Sequence, residues 1–209
     1  MKKFTKQSNY RFKYYKKLHL IMDEIEFLNK HWFMYHKLED NFLEIEKTIP
    51  IDLVNSNTFS YAYMKLLGSI CIEFNECLKN FAKFNSWNCN SVNQCKQHIN
   101  QQFPEFINTI IVFADIGYEK QYFKPFENWI GDNDLYWWKI NNKIKHERNI
   151  IQEGEKKENY KLANQNCILT ALSGLYQLNV YFYTVIKRQT TSFDVLLPPE
   201  KSKIFNFEY

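Results

Sequence analysis

Apolar residues recur at steps of three and four along three long segments, and this periodicity constrains the fold more than any other feature. The segments span about residues 19–47, 58–84 and 160–188. In the second segment the repeat consists of Leu67, Ile70, Cys71, Phe74, Leu78 and Phe81. Such spacing gathers the apolar side chains on one face of an α-helix. We therefore predict three long helices, the first ending at Pro50 and the second capped by Asn57.

The remaining segments predict smaller elements between these helices. The chain has only five Gly and five Pro, which argues against a many-turned β-sandwich. Ser91 is a suitable cap for a short helix that ends near Gln102. Residues that favour strands then fill 108–115, and a second such run covers 120–126. The sequence predicts an all-α bundle of four to five helices with a small extended or β-hairpin insertion.

Residues 134–148, which read DLYWWKINNKIKHER, form the most unusual segment of the chain. Asp134 is a suitable N-cap, and a helix is predicted from about 135 to 150. Its apolar face consists of Trp137, Ile140, Ile144 and Ile151. Its opposite face carries Trp138, Asn142, Lys145, His146 and Asn149, with Asn141 and Arg148 on the boundary.

Trp138 is the residue of this helix that predicts a covering partner. A tryptophan carries a large apolar area, so leaving it in water is costly. We expect it to be covered by another element of the chain or by a second subunit. In a homodimer, Trp138 and Asn141 would lie at the interface. The simplest alternative is a helix buried on two sides, whose Asn and His side chains are only hydrogen-bonded.

Positive charge is concentrated at the N-terminus. The first 17 residues contain seven Lys or Arg and no acid, whereas the other 192 carry 20 basic and 23 acidic residues, a net of −3. We divide the chain into a basic and aromatic arm (1–18), a helical domain (19–188) and a C-terminal tail (189–209), read as an extended strap or a disordered end. Basic and aromatic side chains together suit RNA, with the contacts predicted at Lys2, Lys3, Lys6, Arg11 and Lys13. Alternatively, the arm docks its aromatic residues on the domain.

Cysteine usage and hydropathy limit the possible locations. The five cysteines are odd in number and irregularly spaced, which predicts a reducing, cytoplasmic environment. The sequence contains no run of 18 consecutive apolar residues, so no membrane span is predicted. No signal peptide is expected either. Cys89, Cys95 and His98 match no common zinc spacing, so no metal site is predicted.

Three segments together resemble a known group of proteins. They are ICIEFNECLK (70–79), WWKINNKIKHER (137–148) and ANQNCILTALSGLYQL (163–178). Their order and spacing resemble uncharacterised bacterial and phage-associated helical proteins with a WW…N-x-x-K-H-x-R signature, which are similar in turn to the HEPN superfamily. HEPN domains are helical bundles, often dimeric, and many are metal-independent ribonucleases. The resemblance therefore implies an endoribonuclease of the toxin or phage-defence type that needs no cofactor.

The resemblance also implies the residues of an active site. Asn142 and His146 match the Asn and His of the HEPN motif, while Asn141 stands where the motif has Arg. Lys145 and Arg148 are the nearest cations, and Glu73 is expected to orient His146 or pair with a cation. Partners implied are RNA, a second copy of the chain, and an antitoxin or defence-system protein. The alternative function is a non-catalytic HEPN-like module that binds RNA, a nucleotide or a protein partner.

Overall fold

The computed structural model describes residues 22–114, 121–127, 129–151, 157–189 and 196–208. Five helices account for most of these residues, as the periodicity predicted. Helix α1 (24–46) consists of Glu24–Phe27, a π-helical segment Leu28–Trp32 and Phe33–Glu46. The others are α2 (Tyr61–Phe84), α3 (Val92–Gln102), α4 (Tyr136–Glu147) and α5 (Gln165–Arg188).

Helix α5 is the centre of the core. Nearly every side chain from Cys167 to Phe182 is buried, so other elements surround this helix. Its long neighbours, α1 and α2, each turn one apolar face toward it. The predicted apolar stripe of α2 is buried throughout, from Leu67 to Phe81, which explains why its periodicity was so regular in the sequence.

A small antiparallel sheet lies beside the helices. Strand β1 (Ile111–Phe113) pairs with β2 (Tyr122–Phe123), in the two segments predicted to form the extended insertion. A third strand, β3 (Phe205–Phe207), pairs with the other edge of β1, giving the order β2-β1-β3. The sequence did not predict this strand, because residues 205–207 lie in the tail and pair with a strand more than 90 positions away.

Several helix ends differ from the predicted ones. Ser60, rather than Asn57, caps α2 by accepting a hydrogen bond from the Tyr63 N–H at 3.0 Å. Helix α4 follows Leu135, and the Asp134 side chain does not cap it. Because α4 ends at Glu147, Ile151 lies outside the helix and is exposed instead of belonging to its apolar face.

A disulfide joins Cys89, in the loop after α2, to Cys95 in α3. The other three cysteines, Cys71, Cys77 and Cys167, are free and buried. A six-residue separation is short enough for the loop to bring the two thiols together. The cysteine count was the reason for expecting a reducing compartment, and that reason does not hold for Cys89 and Cys95.

None of the helices in the described part of the chain has the length and apolar character that a membrane span requires.

Candidate functional site

Helix α4 is fixed in the bundle by Trp137. Its indole ring is fully buried and packs edge-on against Phe74 at 4.9 Å between ring centroids. The indole N–H donates a hydrogen bond to the Pro125 carbonyl at 3.1 Å. On the α5 side, a Cβ at Gly174 would lie 3.3 Å from the Trp137 ring, so glycine allows this close approach. The first tryptophan of the pair is therefore a core anchor, as predicted.

Helix α4 runs antiparallel to α2. Trp137 and Trp138 lie beside Phe74, whereas Asn141 lies beside Gly68, where its side-chain oxygen would be 4.0 Å from an added Cβ. Advancing along α4 therefore means going back along α2. The proximity of Asn141 to Gly68 therefore fixes the register of the two helices, that is, which residue of α2 lies beside each later residue of α4.

Trp138 and Asn141 both face α2 of their own chain. The Trp138 ring is half-buried, with its centroid 6.1 Å from that of Phe74, and it packs against the main core. Contact with α2 therefore covers part of the Trp138 ring within its own chain. Both residues are only half-buried, so their place at a subunit interface stays a prediction.

The polar end of α4 is open to solvent. Lys145, His146 and Arg148 are exposed, and Asn142 is half-buried one turn before His146. Residues 136–148 carry four basic side chains and one acidic one, a net of +3, within a domain whose remaining charges are mostly acidic. Arg148 Nε donates to the Asn149 side-chain oxygen at 3.3 Å. This end of α4 is an open surface that a polyanion can reach, rather than a sealed polar core.

Glu73 is separate from this surface. Gly68 is level with Asn141, Glu73 lies five residues beyond it on α2, and His146 lies five residues away in the opposite direction. At 1.5 Å per residue, Glu73 and His146 are about 15 Å apart along the helix axes. Antiparallel packing carries the two residues toward opposite ends of the helix pair, which argues against Glu73 orienting His146 and leaves pairing with a cation as the other role predicted for Glu73.

The partner of Glu73 is His31, which the sequence analysis missed. His31 Nδ1 and Glu73 Oε1 are 2.6 Å apart, and the Asn80 side-chain amide lies 3.0 Å from His31 Nε2. Because the Asn80 amide nitrogen can only donate, His31 Nε2 accepts its hydrogen bond, and the His31 proton lies on Nδ1 and is donated to Glu73. His31 is 3% exposed and lies in the π-helical segment of α1.

Two sequence signals bear on this buried network. Glu73 and Asn80 are seven residues apart and therefore share one face of α2. His31, in turn, directly precedes the buried Trp32 within an apolar repeat. Neither pattern predicts that His31 contacts Glu73, because the two residues are 42 positions apart in the sequence. The free thiol of Cys77 adjoins this network, where burial and then the charge of Glu73 raise its pKa well above the ordinary value.

The remaining sequence predictions concern RNA contacts in the N-terminal arm and metal binding. Lys2, Lys3, Lys6, Arg11 and Lys13, predicted to contact RNA, lie outside the described residues. Within the described ranges, no group of three or more His, Cys, Asp and Glu side chains is arranged to hold a metal ion. A cavity of about 280 Å³ lies elsewhere, and its lining includes Phe103, Glu105, Tyr181 and Arg188. None of the predicted site residues within the described ranges lines it.

In comparisons with protein-family models, with curated proteins and with solved structures, nothing matches this chain.

Proposed function

We propose that this protein is a metal-independent, HEPN-like endoribonuclease of the toxin or phage-defence type that acts in the cytoplasm. The observation that carries the proposal is the exposed cluster of Lys145, His146 and Arg148 at the end of α4, with Asn142 one turn away. An imidazole next to two cations is suited to proton transfer at a phosphodiester. Residues 137–148 resemble the signature of helical proteins that are similar in turn to the HEPN superfamily, and this resemblance supports the same assignment.

The proposed reaction needs only groups of the protein and the RNA. The 2′-oxygen forms a bond to the adjacent phosphorus, and the bond from phosphorus to the 5′-oxygen breaks. The neutral His146 imidazole accepts the 2′-hydroxyl proton, and the 5′-oxygen leaves with a proton from a general acid. The products are a 2′,3′-cyclic phosphate and a free 5′-hydroxyl. Lys145 and Arg148 stabilise the charge that builds on the phosphate oxygens, while Asn142 donates a hydrogen bond.

A homodimer would supply the second proton-transfer group. One His146 serves as base, and the His146 of a second copy serves as acid if the two α4 ends meet around one phosphate. The contact would involve the exposed end of α4, since Trp138 and Asn141 already face α2. Light scattering tests this part of the proposal, and a monomer at tens of micromolar protein would contradict it.

The ribonuclease proposal is tested with His146→Ala in single-stranded RNA cleavage assays containing EDTA. We expect cleavage to fall by roughly 10²–10⁴-fold, the usual contribution of a general acid or base. Because His146 is exposed, the denaturant midpoint should stay close to that of the wild type. His98→Ala is the matched control, since His98 stacks on Trp87 away from the motif and its loss should leave cleavage unchanged. Equal cleavage by wild type and His146→Ala would refute the assignment.

A second candidate function is a non-catalytic module that binds RNA, a nucleotide or an antitoxin or defence-system protein. It is favoured by Asn141, which replaces the motif Arg and faces Gly68 rather than the exposed surface. The same assay separates the two candidates. Binding of RNA without any cleavage by the wild type supports the module.

A further inference from the structure

Three aromatic residues cluster beside the basic end of α4, and we call them the aromatic platform: Phe59, Tyr61 and Tyr160. The rings of Tyr61 and Tyr160 are stacked, with centroids 5.7 Å apart and planes 8° from parallel. Phe59 packs edge-on against both, at 5.4 Å from Tyr61 and 5.1 Å from Tyr160. Despite this contact, Tyr61 is 61% exposed. One face of its ring therefore rests on Tyr160, while the other remains open.

Backbone hydrogen bonds hold this platform against the end of α4. The Tyr160 N–H donates to the Arg148 carbonyl at 3.1 Å, and the Asn159 side-chain amide donates to the Glu147 carbonyl at 2.7 Å. These bonds satisfy carbonyls that the end of a helix leaves without intrahelical partners. The cap that ends α4 thus also fixes the position of Tyr160.

The helix pairing places Tyr61 at the level of the cations. Counting seven residues back from Gly68 on α2 reaches Tyr61, and seven residues forward from Asn141 on α4 reaches Arg148. Both lie about 10 Å from the Gly68–Asn141 contact. Lys145 is four residues beyond Asn141, so it lies beside the part of α2 that is four residues before Gly68, next to Lys65.

Exposed cations lie near Tyr61 on both α2 and α4. Lys65 lies one turn along α2 from Tyr61 and is exposed, as are Lys145 and Arg148. Among the described residues, neither Lys65 nor Lys145 forms an ion pair, so both charges are available to a ligand. Lys161 lies over the Tyr160 ring at 5.5 Å from its centroid, but its charge is paired with Glu158 at 2.7 Å. Glu147 is the other acid of this surface.

We propose that this surface binds single-stranded RNA, with a base stacked on the open face of Tyr61 and phosphates on Lys65, Lys145 and Arg148. An aromatic face next to cations is the combination that binds single strands, because it recognises bases and backbone at once. A duplex does not fit, since its bases are already stacked on one another. The inference rests on the proposed function and narrows its substrate class, because the platform adjoins the end of α4 that carries His146.

The experiment compares Tyr61→Leu with Tyr61→Phe in binding a fluorescein-labelled uridine 12-mer. Leu keeps an apolar side chain but removes the ring, so we expect the dissociation constant to rise roughly 5- to 150-fold. Phe keeps the ring and should bind like the wild type. A single-stranded oligomer containing 2-aminopurine provides a direct signal, because stacking quenches its emission. Quenching should occur with wild type and Tyr61→Phe and be weaker with Tyr61→Leu, at an unchanged denaturant midpoint.

Phe33→Leu is the matched control. Phe33 is 52% exposed and has Lys37 at 5.3 Å from its ring centroid, so it is also an exposed aromatic ring beside a cation. Helices α1 and α2 are antiparallel, since His31 contacts Glu73 and Phe42 stacks on Tyr63. Phe33 therefore lies about 15 Å from Tyr61 along the axis. Its replacement should not change RNA binding.

The outcomes separate this inference from the proposed function. Equal affinity and equal quenching for wild type and Tyr61→Leu would overturn the platform, while loss of cleavage in His146→Ala would still support the ribonuclease. Weaker binding by Tyr61→Leu, with no cleavage by the wild type, would support the platform and refute the ribonuclease. Wild-type protein that binds no single-stranded RNA would overturn the platform directly.

Discussion

At the scale of single residues, two histidines of this chain have opposite environments. His146 is exposed at the end of α4, whereas His31 is buried between Glu73 and Asn80. The sequence motif drew attention to His146, although His31 has the more extensive hydrogen bonding. A buried imidazole whose two nitrogens are both hydrogen-bonded holds its partners in position, whereas an exposed imidazole is available to a ligand.

We expect His31→Ala to lower the free energy of unfolding by about 1–3 kcal/mol, since it strands the polar groups of Glu73 and Asn80. His146→Ala should change it by less than about 0.5 kcal/mol, as is usual for exposed sites. Urea denaturation of both variants measures the difference. In a double-mutant cycle with Glu73→Ala, the two losses should be non-additive by at least about 0.5 kcal/mol. Additive losses would mean that His31 and Glu73 do not stabilise one another.

At the scale of elements, one buried carboxylate holds the C-terminal strap, residues 196–208, against α1. Glu39 is fully buried and accepts hydrogen bonds from the Tyr35 and Ser202 hydroxyls and from the Lys203 and Ile204 N–H groups. Its other oxygen faces His36 Nδ1 at 3.0 Å. These bonds position the strap so that β3 can complete the sheet.

We expect the packing of the strap against α1 to weaken at acidic pH, because Glu39 holds it. Burial raises the pKa of Glu39, but hydrogen bonds, first from His36 and then from Ser202, Tyr35 and Ile204, outweigh burial and lower it below the ordinary value. A carboxyl whose pKa is lowered by folding stabilises the fold above its unfolded pKa, near 4.3 for Glu. That stability is lost as the pH falls through the folded pKa.

Hydrogen exchange of the amides of 203–207 measures this effect. In the wild type we expect protection near neutral pH that declines as the pH falls below about 4. Glu39→Gln should reduce the protection at neutral pH and remove much of its acid dependence. Glu44→Gln is the control, since Glu44 is an exposed acid of the same helix, paired with Lys47 at 2.7 Å. An unchanged protection profile in Glu39→Gln would show that another group holds the strap.

At the scale of the whole molecule, charge is divided unevenly along the chain. The first 17 residues carry seven positive charges, and the remaining 192 carry a net of −3. Within that acidic remainder, α4 forms a local basic surface. RNA is therefore expected to contact two positive regions, the basic and aromatic arm and the end of α4 with its neighbouring aromatic platform.

Deleting residues 1–17 tests the contribution of the arm. The logarithm of the RNA association constant should fall less steeply with the logarithm of the salt concentration, by about 0.7 for each phosphate contact that is lost. Affinity should fall most at low salt, where long-range attraction is strongest. Fluorescence anisotropy at several salt concentrations gives the slope, and the denaturant midpoint checks that the domain is intact. A slope equal to that of the full chain would exclude the arm as a binding element.

Sequence patterns alone predicted the helices of this protein and the core faces of α2 and α4. Periodicity is a local property, so the stripe from Leu67 to Phe81 and the anchor Trp137 were evident before any tertiary contact was known. Even the strands β1 and β2 followed from a local run of residues that favour extended structure.

Only the tertiary structure decided which elements meet. The Glu39–Ser202 bond joins residues 163 positions apart, and the His31–Glu73 bond joins residues 42 apart. No local pattern encodes such pairings, because each depends on how whole helices pack. Packing also set the direction of α4 along α2, which places Trp138 beside Phe74, moves Glu73 away from His146 and brings Tyr61 level with Arg148. The residue types of the site were thus evident in the sequence, but their neighbours were decided by the antiparallel packing of two helices.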